Sequence, residues 1–154
     1  PPSSNDIDLM VKPADAERAQ EALAAAGLRP ETPPEQWLRK AWDGEILVDL
    51  IFEPSGMVID DEVIARGEEL SVEAMQVRVM DLDDILTTKL MALDEHSADY
   101  RDLILITRSL REQIDWPGLR ERTSASPFAA AFFALADGLG ISPVPAGEDR
   151  VSAT

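Results

Sequence analysis

The sequence predicts an α+β fold: a small mixed sheet followed by an all-helical C-terminal half. Three observations carry this. Around Ile7 to Val11, Asp6, Asp8 and Met10 alternate with Ile7, Leu9 and Val11, the two-residue period of a strand. Asp43-Gly44 separates two strand-like runs, Trp37 to Trp42 and Glu45 to Phe52, which is a hairpin signal. From Asp81 onward apolar residues recur at helical spacing.

The elements follow in order. Pro13 suits the first turn of a helix that alanine-rich residues 14–26 continue, with Leu23 on its inner face and Gly27 as its C-terminal cap. Residues 30–36 hold three prolines and read as a loop. Pro54-Ser55-Gly56 ends the second hairpin strand. A short helix near 60–66 and short strands around Leu70–Val72 and Gln76–Met80 are expected next. Asp81-Leu82-Asp83-Asp84 caps and opens a helix to about Glu95, with Asp84 in its first turn. Further helices are expected at 98–111, Trp116–Arg122 and Pro127–Leu139. The domain reading is therefore an α/β core over 1–80, helices over 81–140 and a disordered tail over 141–154. The first strand starts almost at once, so upstream residues are expected to precede it.

Composition narrows the function classes. Cysteine is absent, which removes disulfides and thiolate chemistry, and a single histidine, His96, removes a histidine-based metal cluster. No apolar run approaches a membrane span and no signal peptide is visible, so a cytoplasmic protein is expected. A net charge of −16 opposes non-specific binding to nucleic acid and suits divalent cations. Any RNA partner would need a local basic groove, for which Arg39, Lys40, Arg78, Arg101 and Arg108 are the candidates.

Carboxylates at Asp6 and Asp8 project from one strand face, close enough to share a hard cation such as Mg²⁺ or Mn²⁺. Alone, such a pair is a weak motif and reads more readily as a loop cap or a solvated face. Asp49 adds weight, because it interrupts the apolar run Ile46 to Phe52, where an unpaired carboxylate is costly to bury. An edge strand with that face in water is the alternative. Lys89 falls among Leu82, Ile85, Leu86, Leu90 and Leu93 on the helix opened by Asp81. It reads either as a snorkelling lysine or as an ammonium steadying a polyphosphate. Asp102, three residues before Leu105 and four before Ile106, reads either as an ion-pair partner of Lys89 or as a functional acid.

Ser4-Asn5-Asp6-Ile7-Asp8-Leu9-Met10-Val11 resembles the T-x-D-I-D-L strand of minimal nucleotidyltransferases of the DNA polymerase β-like superfamily. Thr87-Thr88-Lys89-Leu90-Met91-Ala92-Leu93 with Tyr100-Arg101-Asp102-Leu103 resembles the K-L-x-A-L and R-D-L signature of the AbiEii and MenT toxins of toxin–antitoxin systems. The resemblance spans roughly residues 3–110 and implies a polymerase β-like core. It implies Mg²⁺ and triphosphate binding by Asp6 and Asp8, with Asp49 as third acid. Lys89 would contact the nucleotide and Asp102 would be the acid after it. A nucleoside triphosphate and a tRNA 3′ end are the implied substrates. Ser4 would contact nucleotide and would be the residue that a cognate antitoxin phosphorylates. The family's Gly-Ser turn, which holds the terminal phosphates, has no counterpart here. Two other readings share the D-x-D: a transferase acting on a small molecule of the aminoglycoside type, and an inactive binding module.

Overall fold

The computed structural model describes residues 6–72 and 74–143, which fall into two compact units, residues 1–88 and 89–154. Ser4 lies outside the described residues, as do 144–154 of the expected tail.

In the first unit, β1 (Asp6–Met10), β2 (Arg29–Glu31), β3 (Leu38–Asp43) and β4 (Ile46–Ile51) form one sheet in the order β1-β4-β3-β2. β1 runs parallel to β4, and β3 runs antiparallel to both β4 and β2, so the sheet is mixed as expected. β2 was not expected. Pro30 sits in it because β2 is an edge strand, where a missing N–H leaves no ladder bond broken.

Pro13 opens a single 3-10 turn that leads into α1 (Ala16–Ala25). Gly27, at φ 102°, closes α1 with Leu28 N–H donating to Leu23 O and Gly27 N–H to Ala24 O. α1 packs against β2, β3 and β4. The β1–α1–β2 connection joins parallel strands, and such crossovers are right-handed. Val11 N–H points at Ile51 O, and Phe52 N–H at Trp37 O. That hand then sets α1 over the face bearing Ala41, Val48 and Leu50, all buried. Asp6, Asp8, Lys40 and Asp49 project from the opposite face.

The hairpin turn lies one residue later than the Asp43-Gly44 reading. Asp43 still pairs with Ile46, and Gly44-Glu45 form the turn, with Gly44 at φ 58°. This shift changes every cross-strand partner. Had Asp43-Gly44 been the turn, Leu38 would face Asp49; the actual register gives it Lys40.

After β4, Ile59 N–H donates to Phe52 O and the Ile59 side chain is buried. α2 (Asp61–Arg66) follows, capped by Asp60, whose side chain accepts from Glu62 and Val63 N–H. β5 (Glu68–Val72) and β6 (Met75–Val79) make a separate two-stranded ribbon. α3 (Leu82–Met91) opens with Asp81 accepting from Asp83 and Asp84 N–H. Asp84 is more than a first-turn charge. It is fully buried; Arg66 Nε donates to its Oδ2 at 2.9 Å and Arg66 Nη2 forms an ion pair with the same oxygen at 2.9 Å, which ties α2 to α3.

α3 stops four residues short of the expected end. Asp94 Oδ1 accepts from His96 and Ser97 N–H, an alternative to continued helix. The next helix starts late for the same reason, since Asp99 Oδ1 accepts from Arg101 N–H.

The second unit is helical: α4 (Arg101–Leu110), α5 (Trp116–Arg122) and α6 (Pro127–Gly138). Its core holds Leu103, Trp116, Leu119, Phe132, Phe133 and Ala136. Phe132 stacks edge-on to Phe133 at 5.5 Å between ring centroids. Buried Thr107 and Thr123 satisfy their hydroxyls by donating to Leu103 O and Leu119 O. Ser126 and Asp115 cap α6 and α5. Ile141 and Ser142, at the start of the expected tail, are buried, and Ser142 Oγ donates to Asp137. Among the described residues no helix is long and apolar enough to cross a membrane.

Candidate functional site

The sheet register gathers charge into one row. Asp8 on β1 faces Asp49 on β4, Asp49 faces Lys40 on β3, and Lys40 faces Glu31 on β2. Paired residues share a face and neighbouring strands lie about 4.8 Å apart. The row Asp8, Asp49, Lys40, Glu31 therefore crosses the sheet, one side chain per strand. The adjoining row is Asp6, Leu47, Trp42 and Arg29. Trp42 Nε1 donates to Glu31 Oε2, and the Arg29 guanidinium lies 5.8 Å from the Trp42 ring.

Asp49 is the anomalous member. It is half-buried between fully packed Val48 and Leu50, and its Oδ1 is buried with no hydrogen bond. Burial raises its pKa above the ordinary carboxylate value. Lys40 opposes the rise, while Asp8 and Asp6 add to it. A buried acceptor without a donor is costly, and either a proton or a cation relieves it.

Asp6 and Asp8 are exposed. Among the described residues no group of three or more His, Cys, Asp and Glu side chains is arranged to hold a metal ion. Asp8 and Asp49 form the closest in-register pair, with Asp6 one row away. The donor set is all oxygen and includes an orphaned buried lone pair, which suits a hard divalent cation.

Lys89 and Asp102 belong to the second unit and both are exposed. The buried line of α3 is Asp84, Leu86, Thr87 and Leu90, not the all-aliphatic stripe expected. Thr87 is tolerated inside because its hydroxyl donates to Asp83 O, and Lys89 lies off this buried line. On α4 the buried residues are Leu103 and Thr107, and Leu105 is 58% exposed, so Asp102 lies off the inner face. Lys89 and Asp102 do not pair with each other among the described residues.

The expected basic groove is sparse. Arg39 projects from the α1 face of the sheet, over the Phe52 ring, and Arg78 pairs with Glu69 on the β5–β6 ribbon. Within the first unit only Lys40 of the expected cations shares the acid face. The sequence names Lys40 but not its place beside Asp49, because a turn at Asp43-Gly44 implies a different register. Register counted from Gly44-Glu45 is the signal that finds it.

No protein of curated description matches the chain. Residues 3–137 match the family described as "Uncharacterised nucleotidyltransferase", which spans both the acid strands and the helices that carry Lys89 and Asp102. The chain belongs to that nucleotidyltransferase family.

Proposed function

We propose that this protein transfers a nucleoside monophosphate from a nucleoside triphosphate to an acceptor hydroxyl, with the acid face of the sheet as its reaction centre. Family membership supports nucleotidyl transfer and a triphosphate substrate. The observation that carries the site is the register pair Asp8–Asp49 with Asp49 Oδ1 buried and unpartnered.

Asp8 and Asp49, with Asp6 one row along, would hold Mg²⁺ or Mn²⁺. A metal bound there would supply charge stabilisation on the α-phosphate and a lower pKa for the acceptor hydroxyl. The acceptor oxygen bonds to the α-phosphorus as the α–β bridging bond breaks, and pyrophosphate leaves. Asp49 would act either through the metal it holds or as the base that takes the hydroxyl proton. By the resemblance, Lys89 would offset charge on the departing pyrophosphate, and Asp102 would be the acid that follows it in the family signature. Ser4, just upstream, would contact the nucleotide.

The acceptor to test first is a tRNA 3′ end. Capping it would block aminoacylation and make the protein a toxin, acting in the cytoplasm, with Ser4 the point at which an antitoxin would silence it. A second reading has its own support. With a net charge of −16 and Lys40 and Arg29 as the sheet cations among the acids of that face, a cationic small molecule of the aminoglycoside type is the electrostatically favoured acceptor.

Labelled ATP, CTP, GTP and UTP are supplied with Mg²⁺, together with total tRNA or an aminoglycoside panel. Label on either acceptor, lost in Asp8→Ala, supports the transferase and names its acceptor class. Label on neither, with no nucleotide-dependent rise in melting temperature, rejects it and leaves a binding module.

A further inference from the structure

We infer that Lys40 is a substrate-binding residue whose ammonium holds the non-transferred phosphates of the nucleoside triphosphate. This rests on the reading of the acid face as the nucleotidyl-transfer site.

The argument starts from charge. A triphosphate brought to Asp6, Asp8 and Asp49 meets carboxylates, and a divalent cation offsets only part of its charge. A cation on the same face, close to the acids but not ion-paired with them, would offset more. Lys40 meets each condition. Its register with Asp49 fixes it on the same face, one strand from Asp49 and two strands from Asp8, roughly 10 Å between backbones. A lysine chain directed back along the row covers much of that gap.

Lys40 is half-buried, yet its ammonium takes part in no ion pair or side-chain hydrogen bond among the described residues, although Asp49 and Glu31 flank it. Neighbouring cations are occupied. Arg29 lies over Trp42 and near Glu31, at 3.9 Å, and Arg66 is committed to Asp84. Arg39, next in sequence, points to the other face. A compact ammonium with free donors suits a phosphate oxygen. Its backbone is fixed from behind as well, since Gln20 Nε2 of α1 donates to Lys40 O at 2.8 Å.

The test compares wild type with Lys40→Met, Lys40→Gln, Lys40→Arg and Asp8→Asn, each first checked for a cooperative melt without ligand. The readouts are kcat and KM for the triphosphate, the inhibition constant of Mg²⁺-pyrophosphate, and binding of the nucleoside monophosphate. Both neutral variants should raise KM and the pyrophosphate inhibition constant about tenfold or more, as expected for one lost charge-assisted hydrogen bond. Monophosphate binding should hold, and Lys40→Arg should recover most of the loss. Unchanged KM and pyrophosphate inhibition in both neutral variants, with transfer still abolished by Asp8→Asn, would overturn the role of Lys40 while the acid face stands. Absence of triphosphate binding and transfer in the wild type would overturn both.

Discussion

Two carboxylates in the first unit are withdrawn from water, and they differ in every other respect. Asp84, at the start of α3, is fully buried and is held by Arg66 through a hydrogen bond from Nε and an ion pair from Nη2. Asp49, in the middle of β4, is half-buried and keeps an oxygen without any donor. Asp84 is what a buried charge looks like when the fold itself compensates it. Asp49 lacks such a clip, and Lys40 is the group near it that opposes its raised pKa. Under the proposed function the acid row is the side left for a ligand, whereas the α2–α3 clip is finished structure.

The largest expected effect breaks the ligand side of this contrast. Asp8→Ala should cut transfer by roughly a thousandfold or more while leaving the melting curve nearly unchanged, since Asp8 is exposed. Kinetics and thermal melting on one preparation check both halves. A variant that melts early instead would make Asp8 a structural residue.

Arg66→Met breaks the other side. It strands the Asp84 charge in the interior and should destabilise the protein by about 3 kcal/mol in denaturant titration. Per folded molecule, transfer should persist. If the melt barely moves, the clip is not what compensates Asp84.

A smaller effect sharpens the assignment of the helical half. Lys89 is exposed, so Lys89→Gln should shift stability by no more than about 0.5 kcal/mol. If Lys89 steadies the leaving pyrophosphate, kcat should fall about tenfold. Equal kcat would reduce it to a solvated lysine.

The sequence made the sheet and its acids visible for a physical reason. Alternation in β1 and β4 is local, and Asp49 stands out against Val48 and Leu50 without knowledge of any partner. Long-range pairing was less accessible. A turn displaced by one residue moved Leu38 away from Asp49 and brought in Lys40. β2 was hidden by Pro30, whose tolerance depends on lying at an edge. On α3, the burial of Thr87 is not legible as hydrophobicity, because a bond to Asp83 O satisfies its hydroxyl. Arg66 and Asp84 lie 18 residues apart, and no local pattern announces them.

The most direct test of the central claim is melting temperature against pH for wild type and Asp49→Asn, with and without Mg²⁺ and a triphosphate. The folded Asp49 pKa lies above its unfolded value, so the ionised form is the costly one. That penalty is absent below the ordinary carboxylate range and grows as pH rises from there through the folded value. Without ligand, Asp49→Asn should therefore melt higher than wild type at neutral pH, and the gain should vanish in acid. Adding Mg²⁺ and triphosphate should raise the wild type and leave Asp49→Asn largely unmoved. Equal ligand-induced shifts in both proteins, or a variant that melts lower at neutral pH without ligand, would contradict the claim that Asp49 is held ready for a ligand.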